Sequence, residues 1–91
     1  MQTTLVQEYS FGLNRIGVRM LCDLQEINIH ILDEDRTFIF RPHVKNNPND
    51  WSICILGEVY ENKTKIAEGS ITTSLIGYTN KDRVDCVLLL S

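Results

Sequence analysis

The sequence lacks the features that mark membrane and secreted proteins. Its apolar runs, such as residues 87–90, are only a few residues long, whereas a membrane-spanning helix needs about 20. The first residues carry no basic side chain, and Glu8 interrupts the apolar pattern, so no signal peptide is predicted. We therefore expect a cytoplasmic protein that does not contact a membrane.

Clusters of basic residues are also missing. The chain has nine Lys and Arg residues against twelve Asp and Glu residues, a formal net charge of −3, and the two signs are interspersed. Binding to the phosphate backbone of a nucleic acid depends on a basic patch or stripe. A nucleic-acid partner is therefore not expected.

Metal-binding and redox motifs are absent as well. Cys22, Cys54 and Cys86 lie about thirty residues apart with no CxxC spacing, which excludes the usual zinc and thiol-redox patterns. Each has apolar neighbours, so we expect three buried structural thiols. His30 and His43 share no ligand spacing with each other or with a cysteine. The sequence predicts no metal site and no cofactor.

Catalytic motifs are missing too, because the chain contains neither a glycine-rich phosphate loop nor a GxSxG elbow. The best nucleophilic constellation is Cys54 with His43 as base and Asp50 as its orienting partner. A thiol within an apolar strand is a poor nucleophile. Glu58 and Glu68 could face each other across a hairpin, but solvated strand positions explain these two residues more simply. The chain is predicted not to be an enzyme.

The residues that are present favour strands. The 91 residues form one domain, 1–91, and include a single alanine, Ala67, beside many isoleucines, valines and threonines. Apolar and polar residues alternate over residues 26–31, as in a strand with one buried face. We predict an all-β antiparallel meander of six to seven strands, forming a sandwich or a partly open barrel.

Several local features refine this prediction. Residues 13–24 have both a helical and an alternating pattern; we favour a strand, with an α+β fold containing a helix at 13–24 as the alternative. Gly57 within a long strand indicates a bulge or bend.

A turn at Asn62 and Lys63 is expected to place Val59 opposite Ile66. The neutral segment 70–74 is the expected sheet edge, available for pairing with a second copy.

A surface connection is predicted over residues 41–51, RPHVKNNPNDW, which are rich in turn formers. Such loops carry many recognition residues. The candidate binding residues are Arg41, His43, Lys45, Trp51 and Tyr78. We interpret the chain as a small non-catalytic protein-binding module: an adaptor, accessory subunit, immunity protein or inhibitor. Its partner is another protein, or a second copy in a homodimer. The alternative is a small-ligand binder with a pocket between sheets or at a dimer seam.

Overall fold

The computed structural model describes residues 7–45, 52–74 and 83–91. These residues form six strands, one short α-helix and a 3₁₀ turn at Leu32–Glu34. The elements in chain order are β1 (Gln7–Asn14), α1 (Arg15–Cys22), β2 (Ile27–Ile31), β3 (Arg36–Pro42), β4 (Ser52–Glu61), β5 (Thr64–Ser74) and β6 (Arg83–Leu90).

The six strands form one antiparallel sheet with the order β1-β6-β5-β4-β3-β2. The sheet curls into a nearly closed barrel, so that its two end strands, β1 and β2, approach each other. This confirms the predicted all-β meander and selects the partly open barrel over the sandwich. The C-terminal strand β6 lies between β1 and β5, a position that agrees with its apolar composition.

The hydrophobic core fills the barrel. Alternate residues of each strand point inward, as a period of two requires, and the aromatic rings of Phe38 and Phe40 are completely buried. Ile55, Ile71 and Leu88 from the three following strands in the sheet are also fully buried. As in other small barrels, side chains occupy the interior. A functional site must therefore lie on the outer face of the barrel or at its open side.

The preference for a strand over residues 13–24 was wrong, because residues 15–22 form α1. The Asn14 side chain caps the helix by accepting a 2.8 Å hydrogen bond from the Gly17 amide. Val18, Leu21 and Cys22, at helical spacing, are buried against the core, and Ile16 is exposed. Burial of this one face and the N-terminal cap together explain the helix.

The β4–β5 hairpin differs from its prediction in register. Asn62 and Lys63 do form the two-residue turn, both with positive φ (52° and 67°). A register shift between Val59 and Tyr60, however, places Val59 opposite Ala67 and not Ile66. The irregularity thus lies nearer the turn than Gly57, where a side chain would collide with the Phe40 ring and the Arg41 carbonyl.

Segment 70–74 is not a sheet edge. It belongs to β5, which pairs with β4 on one side and β6 on the other. The prediction failed because an uncharged polar strand can also lie in the sheet centre when its inward residues, here Ile71 and Thr73, are buried. Among the described strands, the edges are β1 and β2. Within the described ranges, no helix is long and apolar enough to span a membrane.

Candidate functional site

A network of polar side chains crosses the outer face of the barrel from the start of β2 to β5. We call it the polar band; its members are Glu26, Arg41, His43, Glu58, Tyr60, Lys65 and Glu68. The strand registers create it, because Arg41 of β3 lies opposite Glu58 of β4, and Glu58 lies opposite Glu68 of β5. Three strands thus contribute outward residues to one row.

Arg41 anchors one end of the polar band. Its Nε donates a 2.8 Å hydrogen bond to Glu26 Oε2, and its guanidinium lies 5.1 Å from the centre of the Tyr60 ring. Hydrogen bonding to Tyr60 and Glu26 raises the pKa of Arg41. The Tyr60 hydroxyl in turn donates to Glu58 Oε1 at 3.1 Å. Arg41 is therefore already engaged within its own chain.

Two carboxylates meet at the other end of the polar band. Glu58 and Glu68 are direct cross-strand neighbours, an arrangement that destabilises a sheet unless a cation offsets it. The Lys65 ammonium supplies that charge, 2.6 Å from Glu68 Oε1 and 3.3 Å from Glu58 Oε2. Hydrogen bonds from Lys65 and Tyr60 lower the pKa of Glu58, and those to Glu68 and Glu58 raise the pKa of Lys65.

His43 completes this end. It follows β3, and its backbone N–H donates a 2.9 Å hydrogen bond to the Leu56 carbonyl, which fixes it beside β4. Its Nε2 lies 3.7 Å from Glu68 Oε2. One donor atom each from His43, Glu58 and Glu68 lies within 4.8 Å of the others. An imidazole and two carboxylates therefore converge at the surface.

Of the five predicted binding residues, two belong to the polar band. Arg41 and His43 lie at opposite ends of it, with different partners. Lys45 is exposed at the end of a described segment. Trp51 and Tyr78 lie outside the described residues. Sequence reasoning considered the pairing of Glu58 with Glu68, which the register shows, but it missed the connection to His43, since only the β3–β4 register shows that these residues are neighbours.

A second candidate site is the gap between the two end strands of the sheet. Among the described residues, no backbone ladder joins β1 to β2. The two strands instead border an open groove of about 320 Å³, lined by residues 10–13 of β1, by residues 28–33, and by Arg83. Each end strand has one paired side and one side whose backbone N–H and C=O groups face the groove.

Side chains hold the barrel together beside this groove. Arg36 forms a two-pronged ion pair with Glu61, through Nε at 3.0 Å and Nη2 at 2.8 Å, and donates from Nη1 to the Tyr9 hydroxyl at 3.1 Å. The Tyr9 ring packs on Phe38 with centroids 5.3 Å apart. The ion pair with Glu61 is the main reason that the pKa of Arg36 is raised. The side-chain contacts of Tyr9 with Arg36 and Phe38 therefore connect β1 to β3 across the gap.

One cysteine prediction was wrong. Cys22 and Cys86 are buried as expected, but Cys54 is exposed. Its apolar sequence neighbours misled the prediction, because residues adjacent in a strand point to opposite faces: Ile55 is fully buried, so Cys54 points outward. Leu56, on the same face, is also 58% exposed.

Comparisons with protein-family models, with curated proteins and with solved structures find no significant match to this chain. The geometry of the two candidate sites therefore carries the inference of a function.

Proposed function

We propose that the protein is a small, non-catalytic, cytoplasmic protein-binding module that receives an extended segment of its partner at the gap between β1 and β2. The observation that carries this proposal is the pair of unpaired strand edges facing one open groove. Addition of a strand to such an edge satisfies backbone groups that otherwise only water can satisfy.

β1 is the edge that we propose the partner joins. It is eight residues long, against five for β2, and so presents the longer row of backbone groups. The exposed residues Ser10 and Asn28 border the groove from its two sides. Arg83 also lies there, largely exposed and 3.9 Å from Asp85. An acidic residue in the partner segment would complement this guanidinium.

The chemistry of the sites supports a binding role over catalysis. The Cys54 thiol lies on β4, whereas the His43 imidazole lies beside Glu68 of β5, with Nε2 3.7 Å from Oε2. The described polar side chains of the band engage one another in ion pairs and hydrogen bonds. Adaptor, accessory subunit, immunity protein and inhibitor are the roles that a module of this kind performs.

Charge placed at the gap tests the proposal. The double variant Ser10→Lys, Asn28→Lys sets two ammonium groups along the unpaired edges, which is how natural proteins block edge pairing. The matched control is Thr72→Lys, Thr37→Lys: Thr72 shares the row Ser10–Val87–Thr72 but lies on the central strand, and Thr37 lies opposite His30. All four residues are exposed.

The measurement is affinity capture from the native host's lysate, with light scattering on the purified protein to detect a homodimer. We expect a defined protein partner, or a second copy, to bind the wild type and the control and to be lost from the gap variant. A partner retained by the gap variant would move the interface away from β1 and β2.

A small-ligand binder is the second candidate, favoured by a groove beside the polar band. It has a volume of about 390 Å³ and is lined by apolar and polar residues that include Leu56, Leu89, His43 and Glu68. That volume falls within the range of small-molecule sites, but the groove is open to solvent. A rise in melting temperature with a metabolite, lost on Leu56→Asp, would favour this candidate.

A further inference from the structure

The polar band contains a set of ligands that the sequence did not reveal. We propose that His43, Glu58 and Glu68 bind a divalent first-row transition metal ion of the zinc class, and that the ion enters by displacing the Lys65 ammonium. The proposal is independent of the strand-addition function, because the gap between β1 and β2 contains none of these residues.

The backbone already positions the three donors. Glu58 and Glu68 are registered opposite each other, and the His43 amide is hydrogen-bonded to Leu56, two residues before Glu58 on the same strand. Ligands at about 2.1 Å from a tetrahedral ion are about 3.4 Å apart. The His43 Nε2 to Glu68 Oε2 distance is 3.7 Å, and no donor pair exceeds 4.8 Å.

Only side-chain rotations are needed to bring the three donor atoms to the distances of a tetrahedral metal site. The side chains of His43, Glu58 and Glu68 are 45%, 32% and 53% exposed, so core packing does not lock their rotamers. Each closing movement is on the order of 1 Å, which small rotations about χ angles supply. The strands themselves need not move.

Lys65 marks the position that the ion would take. Its ammonium lies between the two carboxylates, at 2.6 and 3.3 Å, and offsets their mutual repulsion. Lys65 is itself 40% exposed, and its flexible four-carbon stem lets the charge swing into solvent. Metal binding is therefore a cation exchange: a dication replaces a monocation, and the carboxylates remain compensated throughout.

The donor set selects the class of metal. One imidazole nitrogen with two carboxylate oxygens suits zinc and neighbouring transition metals, whereas calcium and magnesium prefer oxygen ligands alone. Three protein ligands leave a fourth position open. His43 and Glu68 also line the groove beside Leu56 and Leu89, so the fourth position would be accessible to water or to a donor from a bound molecule.

The test is titration of the full chain with Zn²⁺ by isothermal calorimetry against a competing chelator. We expect one ion per chain, with affinity reduced about tenfold or more in His43→Ala through loss of a ligand. Lys65→Gln should bind several-fold more tightly than the wild type, because the competing ammonium is gone. All variants lie at exposed positions, and circular dichroism checks that each is folded.

Two further variants separate this site from other zinc-binding groups. His30→Ala removes the histidine of the end strand β2, whose Nε2 lies 3.4 Å from Asp35, and Cys54→Ser removes the exposed thiol. Neither should alter the affinity. Zinc binding that survives His43→Ala and disappears with either control would overturn the proposal, as would the absence of binding at 100 μM Zn²⁺ (about the weakest affinity of interest) in both wild type and Lys65→Gln.

Discussion

The two sides of the barrel are held together by different forces. On the side of β4 and β5, an antiparallel ladder with one register shift, between Val59 and Tyr60, runs from the pair Ser52–Ser74 to the pair Glu61–Thr64. On the side of β1 and β2, the described residues form no ladder, and closure depends on the contacts of Tyr9 with Arg36 and Phe38. The closed side is joined by backbone, the open side by side chains.

This difference reflects the connections between the strands. A two-residue turn joins β4 to β5 and sets their register directly. Between β1 and β2 the chain passes through α1, which separates the two strands in sequence and packs its buried face on the core. The site where backbone groups remain available for a partner is therefore a consequence of the topology.

The largest expected effect comes from removing a fully buried ring that packs on Tyr9 of the open side. Phe38 is fully buried and contacts Tyr9, so Phe38→Ala should lower the free energy of unfolding by about 3–5 kcal/mol. Urea denaturation followed by circular dichroism measures this. Phe11→Ala, at a half-buried position on β1, is the control, and an equal loss there would show that the core is not centred on Phe38.

Alkaline pH should weaken the barrel from inside. Burial raises the pKa of the Cys86 thiol to about 11 from its ordinary 9.0. The pKa of this thiol is higher in the folded than in the unfolded protein. Its contribution to the free energy of unfolding is therefore complete below pH 9 and is lost as pH rises through 11. At pH 10 the loss is about 1 kcal/mol. Cys86→Ala should show less loss between pH 8 and 10 than wild type, whereas Cys54→Ser should match wild type.

The helix on the open side provides a smaller effect. Asn14→Ala removes the cap that accepts from the Gly17 amide and should cost about 1 kcal/mol. Asn14→Asp retains an acceptor and is the matched control. Chemical denaturation of the two variants decides the matter: equal stabilities would mean that core packing alone holds α1.

The smallest effect tests the side-chain closure itself. Arg36→Gln removes the ion pair with Glu61 and the hydrogen bond to Tyr9, both partly exposed. Amide hydrogen exchange in β1 and β2 should accelerate a few-fold, while the part of the β4–β5 hairpin away from Glu61, the last residue of β4, stays unchanged. Uniform acceleration across all strands would show that closure and ladder form one cooperative unit.

Much of the fold could be predicted from alternation, because period-two patterns report directly which residues are buried. The Asn62–Lys63 turn and the central position of β6 follow from local chemistry and apolar composition. Residues 13–24 satisfied both periods, and the choice depended on burial against a core that no local pattern describes. The register shift near Val59 and the central position of β5 likewise depend on tertiary pairing.

The candidate sites were less accessible to sequence reasoning. His43 was identified as a binding residue and the pairing of Glu58 with Glu68 was considered, but the three come together only through the register of β3 with β4. A partly open barrel was predicted, but the position of the gap could not be, because an unpaired edge depends on the order of all strands in the sheet. The prediction of the sheet edge from composition instead selected residues 70–74, which lie in the centre of the sheet.

Native-state amide hydrogen exchange of the wild-type protein determines whether the barrel is open between β1 and β2. We predict that the β4–β5 hairpin amides exchange only through global unfolding, while β1 and β2 amides that face the gap exchange far faster. Protection of the gap-facing amides equal to that of β4 and β5 would contradict the account, since it would show a closed ladder where we place the binding edge.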